Sequence, residues 1–207
     1  MMWVINNFNC DASWLKQYAE DYVIYDRSDS DEFIKDLPSN KIIKNQNVGS
    51  NIYSYMDYIV NNYDNLPEIM LFGKTNMFER HITKEEFEKV KDNKTFTPLL
   101  TQNHRTYSDN DGVVCYYENG LYYERNDFWY LREHPTKTVN SKNDLVKLLN
   151  LTDKYIGFAP GGCCIVPREN ILKHSKEIYQ KLKDYTSWHQ FPGEAYLIER
   201  GLYNLWS

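Results

Sequence analysis

The chain has 207 residues and a formal charge of −5, with 29 Asp and Glu against 24 Lys and Arg; 42% of residues are hydrophobic and 26% charged. Those proportions exclude disordered and collagen-like classes and suit one globular domain, residues 1–207, able to bury a core. The acidic balance, with both signs interspersed, gives no footprint for duplex nucleic acid.

The longest weakly polar stretch, Gly157 to Pro167, is far short of the ~18 apolar residues that span a bilayer. Met1 opens onto Trp3-Val4-Ile5 without a basic n-region, so no membrane span or export signal and a cytoplasmic location are expected. Cys10, Cys115, Cys163 and Cys164 show no CxxC spacing and are expected as reduced, mostly buried thiols. A zinc site from Cys163 and Cys164 is a poor prospect, because adjacent strand residues point to opposite faces. The 18 tyrosines fit an AT-rich bacterial or large-viral coding genome as well as any functional demand.

In chain order, Met2 to Phe8 predicts a strand, and Asp11 a helix N-cap before Trp14, Leu15 and Tyr18. Tyr22 to Tyr25 predicts a second strand and Lys41 to Lys44 a third, short one. Ile52, Met56, Ile59, Val60 and Tyr63 form an amphipathic helical stripe. Glu68 to Phe72 predicts a buried strand broken by Gly73, and Thr83-Lys84-Glu85-Glu86 a capping box opening a helix. Between Thr95 and Pro135 aromatics dominate, and Asn119-Gly120 between strand formers predicts a hairpin. Ser141 is expected to cap a helix reaching Leu149. Tyr155 to Val166 predicts strand and Gly-rich turn, Ser175 opens a further helix, and Pro192-Gly193 leads into a last one through Trp206. Strands alternating with helices, with an aromatic β-hairpin insertion, indicate an α/β fold: a central sheet with helices on both faces.

In such sheets ligands lie outside the carboxyl ends of the strands. That rule gathers Asn7 and Asn9, Asp26 and Arg27, Lys74 and Asn76, and Pro160 to Gly162 into one crevice. The amides and carboxylate suit a base and ribose, and Lys74, with Arg80 and His81, offers positive charge to a pyrophosphate. Any one of these residues is more simply a polar strand end; the collection carries the reading. Neither GxGxxG nor GxxxxGK[ST] occurs. Asp29-Ser30-Asp31 and Asp109-Asn110-Asp111 are expected as solvated loops. Glu194, at the start of the last helix, could serve as base or nucleophile, although acidic residues favour helix N-termini through the macrodipole alone. His81 and His189 lie in expected loops near the strand ends.

Asp11-Ala12-Ser13-Trp14-Leu15, Tyr25-Asp26-Arg27-Ser28, Asn47-Val48-Gly49-Ser50, Tyr63-Asp64-Asn65-Leu66-Pro67, Phe158-Ala159-Pro160-Gly161 and Glu194-Ala195-Tyr196-Leu197-Ile198-Glu199-Arg200 span nearly the whole chain. Together they resemble the GT-A nucleotide-sugar glycosyltransferases, and more closely a small group of bacterial and large-DNA-virus (chlorella-virus-like) relatives of them. The resemblance implies a GT-A-like (Rossmann-like) mixed central sheet. It also implies a hexosyltransferase that moves a sugar from a nucleoside diphosphate, expected to be UDP, to a hydroxyl of a glycan or glycoprotein. Asn7, Asn9, Asp26, Arg27, Lys74 and Asn76 would then hold the nucleotide. Gly161, Gly162, His81 and His189 would face the sugar or acceptor, with Glu194 catalytic.

The chain departs from that pattern where an Asp-x-Asp metal motif is usual, after Glu68-Ile69-Met70-Leu71-Phe72, because Lys74-Thr75-Asn76 stands there. Lys74 could replace part of the cation's charge, or Asn76, with His189 or a loop aspartate, could keep a weak dependence on Mn²⁺ or Mg²⁺. The weak dependence is the expectation. The aromatic hairpin, Val113 to Tyr130, would border the acceptor cleft, or is simply a half-buried hairpin rich in β-formers. The competing expectations are a non-catalytic sugar-nucleotide or glycan-binding module and a tyrosine-rich assembly protein.

Overall fold

The structure, a computed structural model, describes residues 1–101 and 106–207. The apolar opening run forms β1 (Met2–Asn7), followed by the single turn α1 (Leu15–Tyr18) and by β2 (Tyr22–Asp26) and β3 (Ile42–Lys44). The expected Asp11 cap is not made: its carboxylate instead closes a local turn on the Ser13 backbone N–H and hydroxyl, both at 2.9 Å. The amphipathic stripe becomes α2 (Ser50–Asn62), and β4 (Ile69–Lys74) follows, running through Gly73 rather than breaking there. Next come α3 (Met77–Arg80), α4 (Lys84–Val90) with its capping box between Thr83 and Glu86, and β5 (Thr97–Pro98).

The aromatic region, four of whose residues lie outside the described ones, supplies β6 (Tyr107–Asp109), β7 (Gly112–Glu118), β8 (Leu121–Arg125) and α5 (Tyr130–Glu133). Asn119 and Gly120 both take positive φ, +50° and +82°, as a two-residue hairpin turn demands. The next helix, α6 (Val139–Leu148), is capped by Thr138 rather than by Ser141, whose backbone N–H donates to the Thr138 hydroxyl at 3.0 Å. The chain then makes β9 (Tyr155–Phe158), β10 (Cys164–Pro167), α7 (Arg168–Ile171), α8 (Lys176–Thr186) and α9 (Gly193–Trp206).

Six strands form a mixed sheet in the order β3-β2-β1-β4-β10-β5. The four strands β3, β2, β1 and β4 are parallel, and β10 is antiparallel to both neighbours. The chain leaves β1 toward β2 and β3, then returns to place β4 on the other side of β1. The carboxyl ends of β1 and β4 therefore mark the topological switch point.

A second sheet, antiparallel in the order β6-β7-β8-β9, replaces the simple hairpin insertion expected from the sequence. The run from Tyr155 to Val166 is two strands in two sheets, because Gly161 (φ +73°) and Gly162 (φ +62°) turn the chain from β9 into β10.

The inner strands of the six-stranded sheet are buried on both faces. On one, Val4, Met70, Phe72 and Cys164 join residues of α2, α8 and α9; on the other, Trp3, Ile5, Leu71 and Cys163 join Leu15, Met77 and Phe87 of α1, α3 and α4. The two adjacent cysteines thus serve opposite faces, and both are fully buried free thiols, which rules out one zinc site for the pair. Burial raises the Cys163 thiol to about 11 and pushes Cys164 well up. No helix among the described residues is long and apolar enough to cross a membrane.

Candidate functional site

Strand alternation decides where each polar residue at the carboxyl edge points. Asn7 follows Trp3 and Ile5 toward the α1 face. Its amide nitrogen donates to Asp26 Oδ1 at 3.0 Å and to Ser28 Oγ at 3.2 Å, and its Oδ1 accepts from the Thr75 hydroxyl at 2.8 Å. Asp26 Oδ1 accepts also from Ser28 Oγ at 2.7 Å, and Oδ2 from Lys44 Nζ at 2.6 Å. Asn7 and Asp26 are 0% and 1% exposed. Their polar atoms form a closed knot that ties the ends of β1, β2, β3 and β4, so these two residues shape the crevice and do not present groups to it. Asn9 behaves similarly at the surface, exchanging hydrogen bonds with Asp29 at 2.8 and 3.0 Å.

Asn6, Arg27 and Lys74 belong to the opposite face. The Asn6 side chain donates to the Asn51 carbonyl at 3.3 Å, and its own Oδ1 is buried with no partner among the described residues. Arg27 lies against the start of α2, its Nη1 donating to Ser50 O at 2.8 Å and to Asn47 Oδ1 at 3.2 Å. Burial lowers its pKa to about 10, which leaves it charged at neutral pH. Gly49 and Ser50 both adopt left-handed backbone and start α2 without a side-chain cap. A Cβ on Gly49 would lie 2.7 Å from the Thr186 carbonyl, so glycine is required there. The Gly49 and Ser50 N–H groups donate to the His189 and Gln190 carbonyls at 2.8 and 3.0 Å, and the helix start lies between Arg27 and the Gly161 turn with its partial positive charge.

At that turn, the Asn51 amide donates to Gly161 O at 2.7 Å. A Cβ on Gly161 would meet His81 Nε2 at 2.6 Å and Lys74 Nζ at 3.0 Å, so both side chains close on the same point of backbone. The Gly161 N–H in turn donates to Glu199 Oε1 at 3.2 Å. Arg27, the start of α2 and Lys74 thus form a cationic run along the carboxyl edges of β2 and β4, with the His81 ring against the same turn and the half-buried Glu199 carboxylate beside it.

Glu194 is not part of this arrangement. It is fully buried, and Oε1 accepts from the Lys137 N–H at 2.8 Å and the Ser141 hydroxyl at 2.6 Å. The expected catalytic carboxylate is therefore a brace holding the segment before α6 against α9. Glu199, to which the sequence analysis gave no role, is the carboxylate that meets the Gly161 turn. His189 is exposed; its carbonyl accepts from Gly49 N at 2.8 Å at the start of α2, and its ring accepts from Phe191 N.

Two further features border the edge. Arg200 pairs with Glu124 at 2.8 Å and lies over the rings of Tyr130 and Phe158, fixing the second sheet to α9 one residue from Glu199. A cavity of about 600 Å³ opens between the loops after β1 and β4 on the α1 face, lined by Trp14, Thr75 and Asn76 among others.

The donor set at the end of β4 does not fit a divalent cation. Lys74 brings an ammonium, Thr75 spends its hydroxyl on Asn7, and Asn76 offers a single amide oxygen. Among the described residues no group of three His, Cys, Asp or Glu side chains gathers anywhere. The two Asp-x-Asp triplets are committed elsewhere: Asp109 to Arg125 at 2.8 Å, Asp29 to Asn9, and Asp31 to Lys44.

A family model described as "Protein of unknown function (DUF3431)" matches residues 4–206. No curated protein and no solved structure matches the chain.

Proposed function

The chain belongs to the DUF3431 family, and from that premise and the geometry of its carboxyl edge we propose that it is a glycosyltransferase taking a nucleoside-diphosphate sugar, with UDP as the expected nucleotide. The observation that carries the reading is the cationic run of Arg27, the α2 N-terminus and Lys74 at the Gly161 turn, with the His81 ring beside it. A diphosphate is the common ligand whose charge and length suit such a row of donors at a topological switch point.

The chemistry follows from charge. As the acceptor oxygen bonds to the anomeric carbon, the bond from that carbon to the phosphate oxygen breaks, and its electron pair leaves with the nucleoside diphosphate. In this reading Lys74, with His81 beside it, neutralises that developing charge, a task the absent acidic motif would otherwise give to a metal. The acceptor hydroxyl must lose a proton, and Glu199, held by the Gly161 N–H through one oxygen, is the carboxylate placed to receive it. A glycan or glycoprotein acceptor would approach past the second sheet and α9.

Isothermal titration of the purified chain with UDP, GDP, dTDP and CMP, each with Mn²⁺ and with EDTA, tests the reading. Binding of one diphosphate that survives EDTA is the expected result; no binding by any of the four overturns it. The fully buried state of Glu194, with no metal-ligating cluster among the described residues, favours a second reading, a binder without turnover. Slow hydrolysis of the UDP-sugar that Glu199→Gln abolishes would exclude that binder.

A further inference from the structure

The cavity on the α1 face is separate from the cationic run, because Thr75, which lines it, turns to Asn7 on that face, whereas Lys74 at the end of β4 turns to Gly161 on the other. Its volume of about 600 Å³ falls within the ordinary range for small-molecule sites. Trp14 and Phe78 form its aromatic part, with ring centroids 5.0 Å apart in an edge-to-face arrangement. The indole is fixed in place by its Nε1–H, which donates to the Thr75 carbonyl at 3.0 Å.

Charge in the lining runs opposite to that across the sheet. Asp11, Glu79 and Glu85 face one ammonium, Lys84. Glu79 and Glu85 are exposed and form no ion pair among the described residues, and the Lys84 nitrogen lies 5.9 Å over the Tyr18 ring. An aromatic wall with a surplus of carboxylates selects for positive charge twice, through the ring quadrupole and through simple attraction.

We propose that this cavity is a second ligand site, one that takes an organic cation: an ammonium group carried on an apolar body. The ammonium sits between Glu79, Glu85 and the face of Trp14, and the apolar body lies along Phe78. An anionic nucleotide is disfavoured there by the same carboxylates, so the two sites sort their ligands by sign. The inference does not depend on glycosyl transfer and would stand if that reading failed.

The chain supplies its own reporter. Cys10 lines the cavity and is half-buried, whereas Cys115, Cys163 and Cys164 are buried. Iodoacetamide at about pH 8 should therefore modify Cys10 first, read by mass spectrometry of the tryptic peptides. Benzyltrimethylammonium is the probe, and benzyl alcohol its neutral counterpart. The expected result is saturable protection of Cys10 by the cation, weakened about tenfold in the E79Q/E85Q double variant. Both substitutions are at exposed positions, so the fold is retained, which circular dichroism checks. No protection by the cation, equal protection by benzyl alcohol, or protection unchanged in the double variant would each overturn the proposal.

Discussion

The knot at β1–β2 and the corner at β4–Gly161 use similar residue types, yet they do different work. In the knot, Asn7, Asp26, Ser28, Lys44 and Thr75 satisfy one another, and nothing is left over for a ligand. At the corner, Arg27 and Lys74 bring positive charge to a glycine turn against which the His81 ring also packs, with one carboxylate, Glu199, nearby. The lesson is that a polar strand end becomes a site only when its hydrogen-bonding capacity exceeds what its neighbours consume.

The largest effect that would break this distinction lies in the knot. Asp26→Ala takes the buried acceptor from the Asn7 amide and the Ser28 hydroxyl and should cost about 3 kcal/mol of unfolding free energy in urea, Lys44 contributing little because it is half-exposed and keeps Asp31. If Asp26→Ala were as stable as the parent while losing nucleotide, the knot would be a binding site after all.

Next in size is Gly161→Ala. The backbone there has φ +73°, and the new methyl would press on His81 and Lys74, so a loss of about 2 kcal/mol is expected, together with weaker nucleotide binding. Crystals of the variant should show the His81 ring displaced.

Lys74→Ala should separate the two regions most cleanly. Stability should change by less than about 0.5 kcal/mol, whereas the dissociation constant for the diphosphate should rise about tenfold, measured by calorimetry. Equal binding by parent and variant would remove Lys74 from the site.

The smallest effect concerns His134, whose ring stacks on Tyr196 at 4.0 Å. Burial lowers its pKa below the usual 6.5, the main cause, with Arg200 and His189 acting in the same direction and Glu133 opposing them. The folded state thus favours the neutral ring. Its small contribution to stability is full above the unfolded value and is lost as pH falls through the folded one. A proton NMR titration should place the His134 midpoint under 6.5, and a midpoint above it would show that the ring is open to water.

Local signals in the sequence were read correctly where the physics is local. The stripe Ile52, Met56, Ile59 and Val60 became α2, Thr83 and Glu86 made their capping box, and Asn119-Gly120 turned the hairpin. The α1 cap failed at Asp11 because a carboxylate two residues before a serine closes a turn more readily than it starts a helix. Thr138, not Ser141, capped α6 for a related reason: either hydroxyl can accept from a backbone N–H, and local pattern does not rank them.

The sequence by itself determined the longer strands and helices, though not β5, β6, α3, α5 or α7, together with the acidic balance and the gathering of polar residues at strand ends. Only the tertiary structure decided that β9 and β10 lie in different sheets, since strand pairing is non-local. It also decided which carboxylate meets the glycine turn. Glu194 and Glu199 are five residues apart on α9, about 140° around a helix, so they face different neighbours. Which of those faces turned inward to brace α6 and which met Gly161 depended on how α9 docked between the two sheets, and no interval in the sequence records that.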